Sequence, residues 1–556
     1  MNSLYRRVKR NFRRSAIAIT VLMIAALFVA VAIPAQAQTV STLYNFAPNN
    51  NSEPTFPQGT MAQGRDGNFY GISSSGNGCC QGIVYKISSA GVQTPLYVMA
   101  PSDGTNCNGL TLGTDGNFYG TCYSDPTNNG TLIKVTPTGT FTVLHTFTGS
   151  TTDGCDPLAP PIQGTDGNFY GTTGFCGANG LGTLYKLTPA GAYSLLYSFQ
   201  GPPNDTALPL GLIQGSDANF WGMGNGWIIS EGGVFQISAA GKESLVYTFK
   251  GGPTDGQNPY TSLTQGSDGN YYGTTESGGT AQLGTIFKLT PTGVETVLYN
   301  FPNQTDGAYP RLPLTQGPDG LLYGMATDCA AGGCSQAGLF DITTKGAYDT
   351  LYLYPLGGSN SVQPFAPLLL ATNGTLYSTT AQGGTASSGS FYSVSTKYSP
   401  FISLVNVRSG KEGAQVGILG QGFTKASVVK FGGVVATTVK LSGSTFIQAT
   451  VPAGALTGDV TVTTGKTTLS TLAAYKITPT ILSFTPPSGP VGTSVTITGT
   501  GLTQTTKVTF NKVSATFTVN SDTQITATVP TGATTGKIAV TTKGGSATSS
   551  TSFTVN

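Results

Sequence analysis

Charge is scarce in this chain. Only 9% of its 556 residues are charged, with 27 basic against 24 acidic. Six of the basic residues lie within the first 14, and no later stretch clusters Lys and Arg. That excludes a nucleic-acid surface, which needs a basic patch. Histidine occurs once, at His145, and no Cys-x-x-Cys spacing is present, so no metal site is expected. A Ser-His-Asp triad would have to be built on His145. Its surroundings, Val143-Leu144-His145-Thr146-Phe147, do not point to a nucleophile. Tryptophan occurs twice, and there is neither a phosphate-binding loop nor a zinc-binding helix motif. The sequence therefore supplies no catalytic residue.

Glycine is abundant, with 77 residues, and it falls in a repeat. The stretch Gln163-Gly164-Thr165-Asp166-Gly167-Asn168-Phe169-Tyr170-Gly171-Thr172-Thr173 recurs down most of the chain. Its aspartate stands at Asp66, Asp115, Asp166, Asp217, Asp268 and Asp319, with Asn373 in the seventh place. A period near fifty means a propeller or a solenoid. Asp-Gly-Asn between apolar runs makes a tight turn, because Gly and Asn tolerate positive φ. Phe-Tyr-Gly-Thr-Thr then reads as a strand. A second strand follows at Gly182 to Leu187, a third at Leu195 to Phe199, and a short apolar run at Leu210 to Ile213 leads into the next turn. Four short strands per repeat make one propeller blade, and each strand type occurs seven times. The strand Leu43 to Phe46 precedes any complete blade, so it is expected to pair near Phe391 to Val394 and close the ring.

Residues 1–37 read as an export signal. A basic start precedes the apolar run Ala16 to Ile33, and Ala35-Gln36-Ala37 fits a cleavage site. Cleavage would leave no transmembrane segment; an uncleaved anchor is the rival reading. Without the six basic residues of the signal, 21 basic residues face 24 acidic ones, a net charge of about −3. An even count of eight cysteines in an exported chain favours disulfides. Cys329 with Cys334, Cys155 with Cys176, and Cys107 with Cys122 are the candidate pairs, and Cys79-Cys80 is left open.

The period stops near Ser395, and two similar units of about eighty residues follow, a size that suits a small sandwich. Both carry an Ile-x-Ala-Thr-Val-Pro strand, at Ile447 to Pro452 and Ile525 to Pro530. The expected fold is all-β: a signal over 1–37, a seven-bladed β-propeller over 38–397, and two immunoglobulin-like sandwiches over 398–477 and 478–556.

The repeat, with its Asp-Gly-Asn-Phe-Tyr-Gly-Thr-Thr turn and strand, its Gly-Thr-Leu-Tyr-Lys-Leu-Thr-Pro strand and its Leu-Tyr-Ser-Phe strand, resembles that of the bacterial GloVer-containing surface proteins. The resemblance spans about residues 40–397 and implies an exported, propeller-like protein of unassigned activity. Many such proteins carry a C-terminal sorting anchor; the ending Ser552-Phe553-Thr554-Val555-Asn556 shows none. The C-terminal units resemble IPT/TIG immunoglobulin-like domains through Pro487-Ser488-Gly489, Gly499-Thr500-Gly501-Leu502 and Thr528-Val529-Pro530. The first unit has Arg408-Ser409-Gly410-Lys411 in place of the Pro-Ser-Gly opening. That resemblance implies spacer or adhesive modules.

Two acidic sets recur. The turn aspartates could ligate Ca²⁺, but Asp-Gly turn chemistry explains them fully. A second set, Asp103, Asp153, Asp205, Asp255 and Asp306, precedes the innermost strand of successive blades, with Glu53 and Asn360 in roughly the matching places of the first and last blades. Crowded round one mouth of the channel, these carboxylates could bind a cation or sugar hydroxyls; the plain alternative is a repeated loop-shaping turn. The Phe-Tyr pairs are expected to pack between blades, and Lys86, Lys134, Lys186 and Lys288 to be solvated edge residues. No cofactor is expected beyond Ca²⁺ as a candidate. The first functional reading is a secreted or cell-envelope binding module that presents a propeller face to a glycan or protein. A propeller enzyme acting on polysaccharide through the second acidic set is the alternative, and a structural surface or matrix component is the third.

Overall fold

The computed structural model describes residues 39–47, 54–76, 82–124, 129–203, 205–226, 231–303, 307–326, 337–354, 363–405 and 407–556. The fold is all-β: a seven-bladed propeller followed by two sandwiches. Blade 4 shows the pattern. Its strands Pro209–Gln214, Phe220–Gly224, Gly233–Ile237 and Glu243–Thr248 pair in chain order, each antiparallel to the next. The Asp-Gly-Asn turn joins the first strand to the second. Each turn aspartate accepts from the backbone N–H two residues on, as Asp166 does from Asn168 at 3.1 Å. Its other oxygen takes the aromatic group four residues on, as in Tyr170 to Asp166 at 2.7 Å. The turn thus fixes the second residue of its strand, Tyr170 after Phe169.

The repeated glycine of Phe-Tyr-Gly has a cross-strand reason. Gly171 pairs with Tyr185, and a Cβ on Gly171 would lie 2.2 Å from the Tyr185 hydroxyl. Two positions in two motifs are thereby one packing unit.

The blades form a ring. The strand Val40–Asn45 pairs antiparallel with Ser390–Val394, Tyr44 opposite Phe391, so the first strand completes the last blade. Apolar clusters join blades 1 and 2, 2 and 3, 3 and 4, 4 and 5, 5 and 6, 6 and 7, and 7 and 1. Aromatic pairs mark most of these junctions: Tyr70 with Phe118 at 4.1 Å, Tyr119 with Phe169 at 3.8 Å, Tyr170 with Phe220 at 4.2 Å, and Phe69 with Tyr377 at 4.4 Å across the closure. Each such pair adds roughly 0.5–1.5 kcal/mol beyond the area it buries. Trp221 joins this core against Tyr271 and is fully buried; Trp227 lies outside the described residues.

The repeated lysines correct one expectation. They stand on the third strand of blades 1, 2, 3 and 5, not on an edge. Lys134 and Lys186 reach back to the turn aspartates Asp115 and Asp166 at 3.2 and 3.6 Å. A polar brace also runs between blades. The Gln163 side chain accepts from Thr114 N–H at 2.8 Å, Gln214 from Thr165, Gln265 from Ser216, Gln316 from Ser267, and Gln63 from Thr372 across the closure.

Disulfides link Cys107 to Cys122 within blade 2 and Cys155 to Cys176 within blade 3. Cys79, Cys80, Cys329 and Cys334 lie outside the described residues, as does the signal segment.

Each sandwich packs two sheets over its own apolar core, one containing Val416, Ile447 and Tyr475, the other Val495, Ile525 and Phe553. The first sandwich docks on the propeller. Val405, Leu419 and Phe446 join the cluster of blades 1 and 2, and the Arg65 guanidinium lies 4.2 Å from the Phe446 ring centroid. Thr445 donates to Arg65 O, Gln421 to Thr372, and Lys476 to Ser216 O at 3.2 Å. These partners are turn residues of blades 1, 7 and 4. Blade 4 faces blades 7 and 1 across a seven-membered ring, so the sandwich spans the turn-side end of the channel.

Candidate ligand site at the open mouth of the propeller

An antiparallel meander puts its first and third turns at one end and its second connection at the other. The Asp-Gly-Asn turns therefore share the end on which the first sandwich sits. The opposite mouth is built by the second-to-third-strand connections and the blade-to-blade connections. The second acidic set lies in the latter.

Asp103, Asp153, Asp205 and Asp255 are all buried, at 9% exposure or less. Each carboxylate ties its own loop to the outermost strand of the preceding blade. Asp205 accepts from the Tyr197 hydroxyl at 2.8 Å and from the N–H groups of Gln200 and Thr206. Asp255 repeats this with Tyr247, Lys250 and Gly256, and Asp103 with Tyr97 and Ala100. Asp153 uses His145 at 3.2 Å, with Thr148 and Gly154. Burial opposes its ionisation, but the His145, Thr148 and Gly154 hydrogen bonds outweigh it and hold the carboxyl at about 2. The geometry of these four is that of loop anchors. Asp306, Glu53 and Asn360 lie outside the described residues. The single histidine stacks on Tyr193 at 3.9 Å and is spent on the Asp153 anchor.

Three residues beyond each of the four anchors comes a position in the left-handed backbone region, Asn106, Asp156, Leu208 and Asn258, and Phe56 and Tyr309 share that conformation in blades 1 and 6, with φ between 51° and 56°. Several of their N–H groups are fixed on the preceding blade, Asp156 on Asn129 O and Tyr309 on Leu283 O, both at 2.9 Å. The frame repeats while the residue changes. This is the signal that sequence reasoning missed: a constant anchor followed by a variable side chain at the mouth.

Asp156 is one such residue. It is partly exposed, and burial raises its carboxyl to about 6. Tyr123, from the end of the second strand of blade 2, is pushed upward by burial, then by the charges of Asp156 and Tyr260. Tyr260 follows the innermost strand of blade 5, Gly256–Pro259. Tyr260 is 46% exposed, and the Arg311 guanidinium lies 5.3 Å from its ring centroid. Arg311 forms an ion pair with Glu276 and so carries no free charge to the mouth. Tyr260 thus presents an exposed aromatic ring backed by a paired Arg311. Among the described residues no group of three or more His, Cys, Asp or Glu could hold a metal ion.

Comparison with known proteins adds the family. The Gloeobacter/Verrucomicrobia repeat matches residues 29–226 and 156–392, and the IPT/TIG domain matches 479–555. No curated protein matches the chain. Among solved structures, a fungal alcohol oxidase of the AA5 family, in complex with copper, is similar at 12% identity and a TM-score of 0.44, over 93% of this chain and 99% of that one. Puromycin hydrolase is similar at 10% identity and a TM-score of 0.40, over 69% of this chain and 62% of the other. A surface glycan-binding protein from Prevotella bryantii is similar at 18% identity and a TM-score of 0.21, over 29% and 40%. With the repeat matched over most of its length, the chain belongs to the Gloeobacter/Verrucomicrobia repeat family, and its last domain is an IPT/TIG domain.

Proposed function

We propose that the chain is an exported binding module of the cell envelope or the extracellular medium, whose open propeller mouth takes up a glycan. The sandwiches act as spacer, and the first of them closes the other end of the channel. The observation that carries this reading is the exposed Tyr260 ring, braced by Arg311 and Glu276 at the mouth the sandwich leaves free. A sugar stacks its C–H face on such a ring and offers hydroxyls to a carboxylate such as Asp156. Two disulfides support an oxidising compartment. Among the described residues no helix is long and apolar enough to cross a membrane. Under this reading the anchors Asp103, Asp153, Asp205 and Asp255 shape the mouth and do not touch the ligand. The test is glycan-array binding by the mature chain, with and without Ca²⁺. A hit that Tyr260→Ala abolishes supports the reading. A hit that survives Tyr260→Ala but is lost on Asp255→Ala moves the site to the anchor loops.

A further inference from the structure

Charge is divided unevenly between the propeller and the sandwiches. Residues 38–397 hold 10 basic against 21 acidic residues, a net charge of about −11. Residues 398–556 hold 11 basic against 3 acidic, a net charge of about +8. We propose that the second sandwich carries a basic face that docks a polyanionic polysaccharide, a chain bearing closely spaced carboxylates or phosphates. This surface is separate from the propeller mouth and does not depend on what binds there.

The lysines of that domain, Lys507, Lys512, Lys537 and Lys543, are scattered in sequence, yet all fall on one of its two sheets. Lys507 stands on the strand Thr505–Phe510 and Lys537 on its neighbour Gly536–Thr542. Lys507 pairs with Thr541, four residues beyond Lys537, so both side chains leave the same face. The two are roughly 13 Å apart along the strands, at about 3.3 Å per residue. Lys512 and Lys543 occupy the tight turns that follow these two strands. All four lysines are exposed. The strands of the other sheet carry no charged side chain, and the one acid of the domain, Asp522, sits in a turn of that sheet. Among the described residues no cation of either sandwich forms an ion pair, whereas Lys86, Lys134, Lys186, Lys288 and Arg311 of the propeller are paired. Unpaired ammonium groups on one face add their fields and attract a polyanion.

The chemistry of the face selects among partners. Lysines are hydrated point charges without the fork of arginine, which suits a run of anions rather than one bidentate group. The exposed large apolar residues of the domain, Leu482 and Val491, lie outside the strands of this sheet, so it offers nothing to enter a lipid layer. The propeller of a second copy is a poorer fit. Four of its turn aspartates are braced by lysines, and four of its anchor aspartates are buried.

The test measures binding of the full mature chain to polygalacturonate, to a phosphodiester-linked teichoic acid and to neutral dextran. The expected result is binding of a charged polymer and none of dextran. Affinity should fall at least about tenfold between about 50 and 200 mM NaCl, as screening of several exposed charges requires. Changing Lys507, Lys512, Lys537 and Lys543 together to Gln, with unchanged circular dichroism, should abolish binding. Changing the same four to Arg should preserve it, and Tyr260→Ala should leave it untouched. Undiminished binding by the Gln variant, binding insensitive to salt, or no binding of either charged polymer overturns the proposal. Tighter binding to anionic phospholipid vesicles or to duplex DNA also overturns it. Loss on Tyr260→Ala moves the polyanion to the propeller mouth and overturns it too. Salt-sensitive self-association in sedimentation, lost in the Gln variant and without polymer binding, overturns it in favour of a second copy.

Discussion

The Arg311 guanidinium stands 5.3 Å from the ring centroid of Tyr260 and is held there by Glu276 from the second strand of the preceding blade. The basic group supports the aromatic surface while its charge is cancelled by a neighbour. Removing that neighbour separates the two roles. Glu276→Ala is expected to leave Arg311 unpaired and to raise the affinity for oligogalacturonate relative to neutral cello-oligomers, measured by calorimetric titration of the native and variant chains.

The glutamine brace between blades makes a prediction through a missing member. Blade 7 has Leu370 where its neighbours have Gln, and the group it would accept from is Pro318, which has no N–H. Leu370→Gln alone is expected to add no stability. Combined with Pro318→Ser it gains up to about 1 kcal/mol, the worth of one partly exposed hydrogen bond. Gln214→Ala loses a similar amount. Denaturant midpoints of the four proteins check this.

Three glutamates face aspartates. Burial, then the charge of Asp205, raises Glu243 to about 8; burial, then Asp255, raises Glu295 to about 7. Burial, then a hydrogen bond to Asp522 of the second sandwich, raises Glu412 to about 7. All three sit above their ordinary value of 4.5, so the folded state holds their protons more tightly. Their contribution to stability is complete below about 4.5 and is lost as pH rises through about 7 to 8. Asp153, held at about 2, acts in the opposite sense, and its contribution fails only as pH falls through that value. The melting temperature should decline from mildly acidic to mildly alkaline pH. The triple change of Glu243, Glu295 and Glu412 to Gln should flatten that decline and leave the acid limb in place.

The Cys155–Cys176 bond joins two short strand segments that pair with each other outside the main sheet of blade 3. Replacing both cysteines with Ser is expected to cost about 2–4 kcal/mol, read as a lower denaturant midpoint. Because this loop carries Asp156, glycan affinity should fall along with stability.

The propeller was legible because its information is local and repeated. Asp166, Asn168 and Tyr170 bond within five residues, and seven copies give the blade count. Closure by Val40–Asn45 followed from counting strand types. The lysines were placed on an edge because the sequence does not show that Lys186 lies over Asp166, one strand away. Docking of the first sandwich was not legible: Arg65 and Thr445 stand 380 residues apart and share no pattern. The mouth was half legible. Repetition drew attention to the anchors Asp103 to Asp255, whereas Asp156 and Tyr260 differ from blade to blade and therefore carry no period.

The central claim is that the open mouth binds a glycan through Tyr260. The most direct measurement is glycan-array binding of the mature chain beside its Tyr260→Ala variant, both verified as folded. The account predicts a defined glycan bound by the native chain and lost in the variant. Equal binding by both proteins, or no glycan bound by the native chain with or without Ca²⁺, would contradict it.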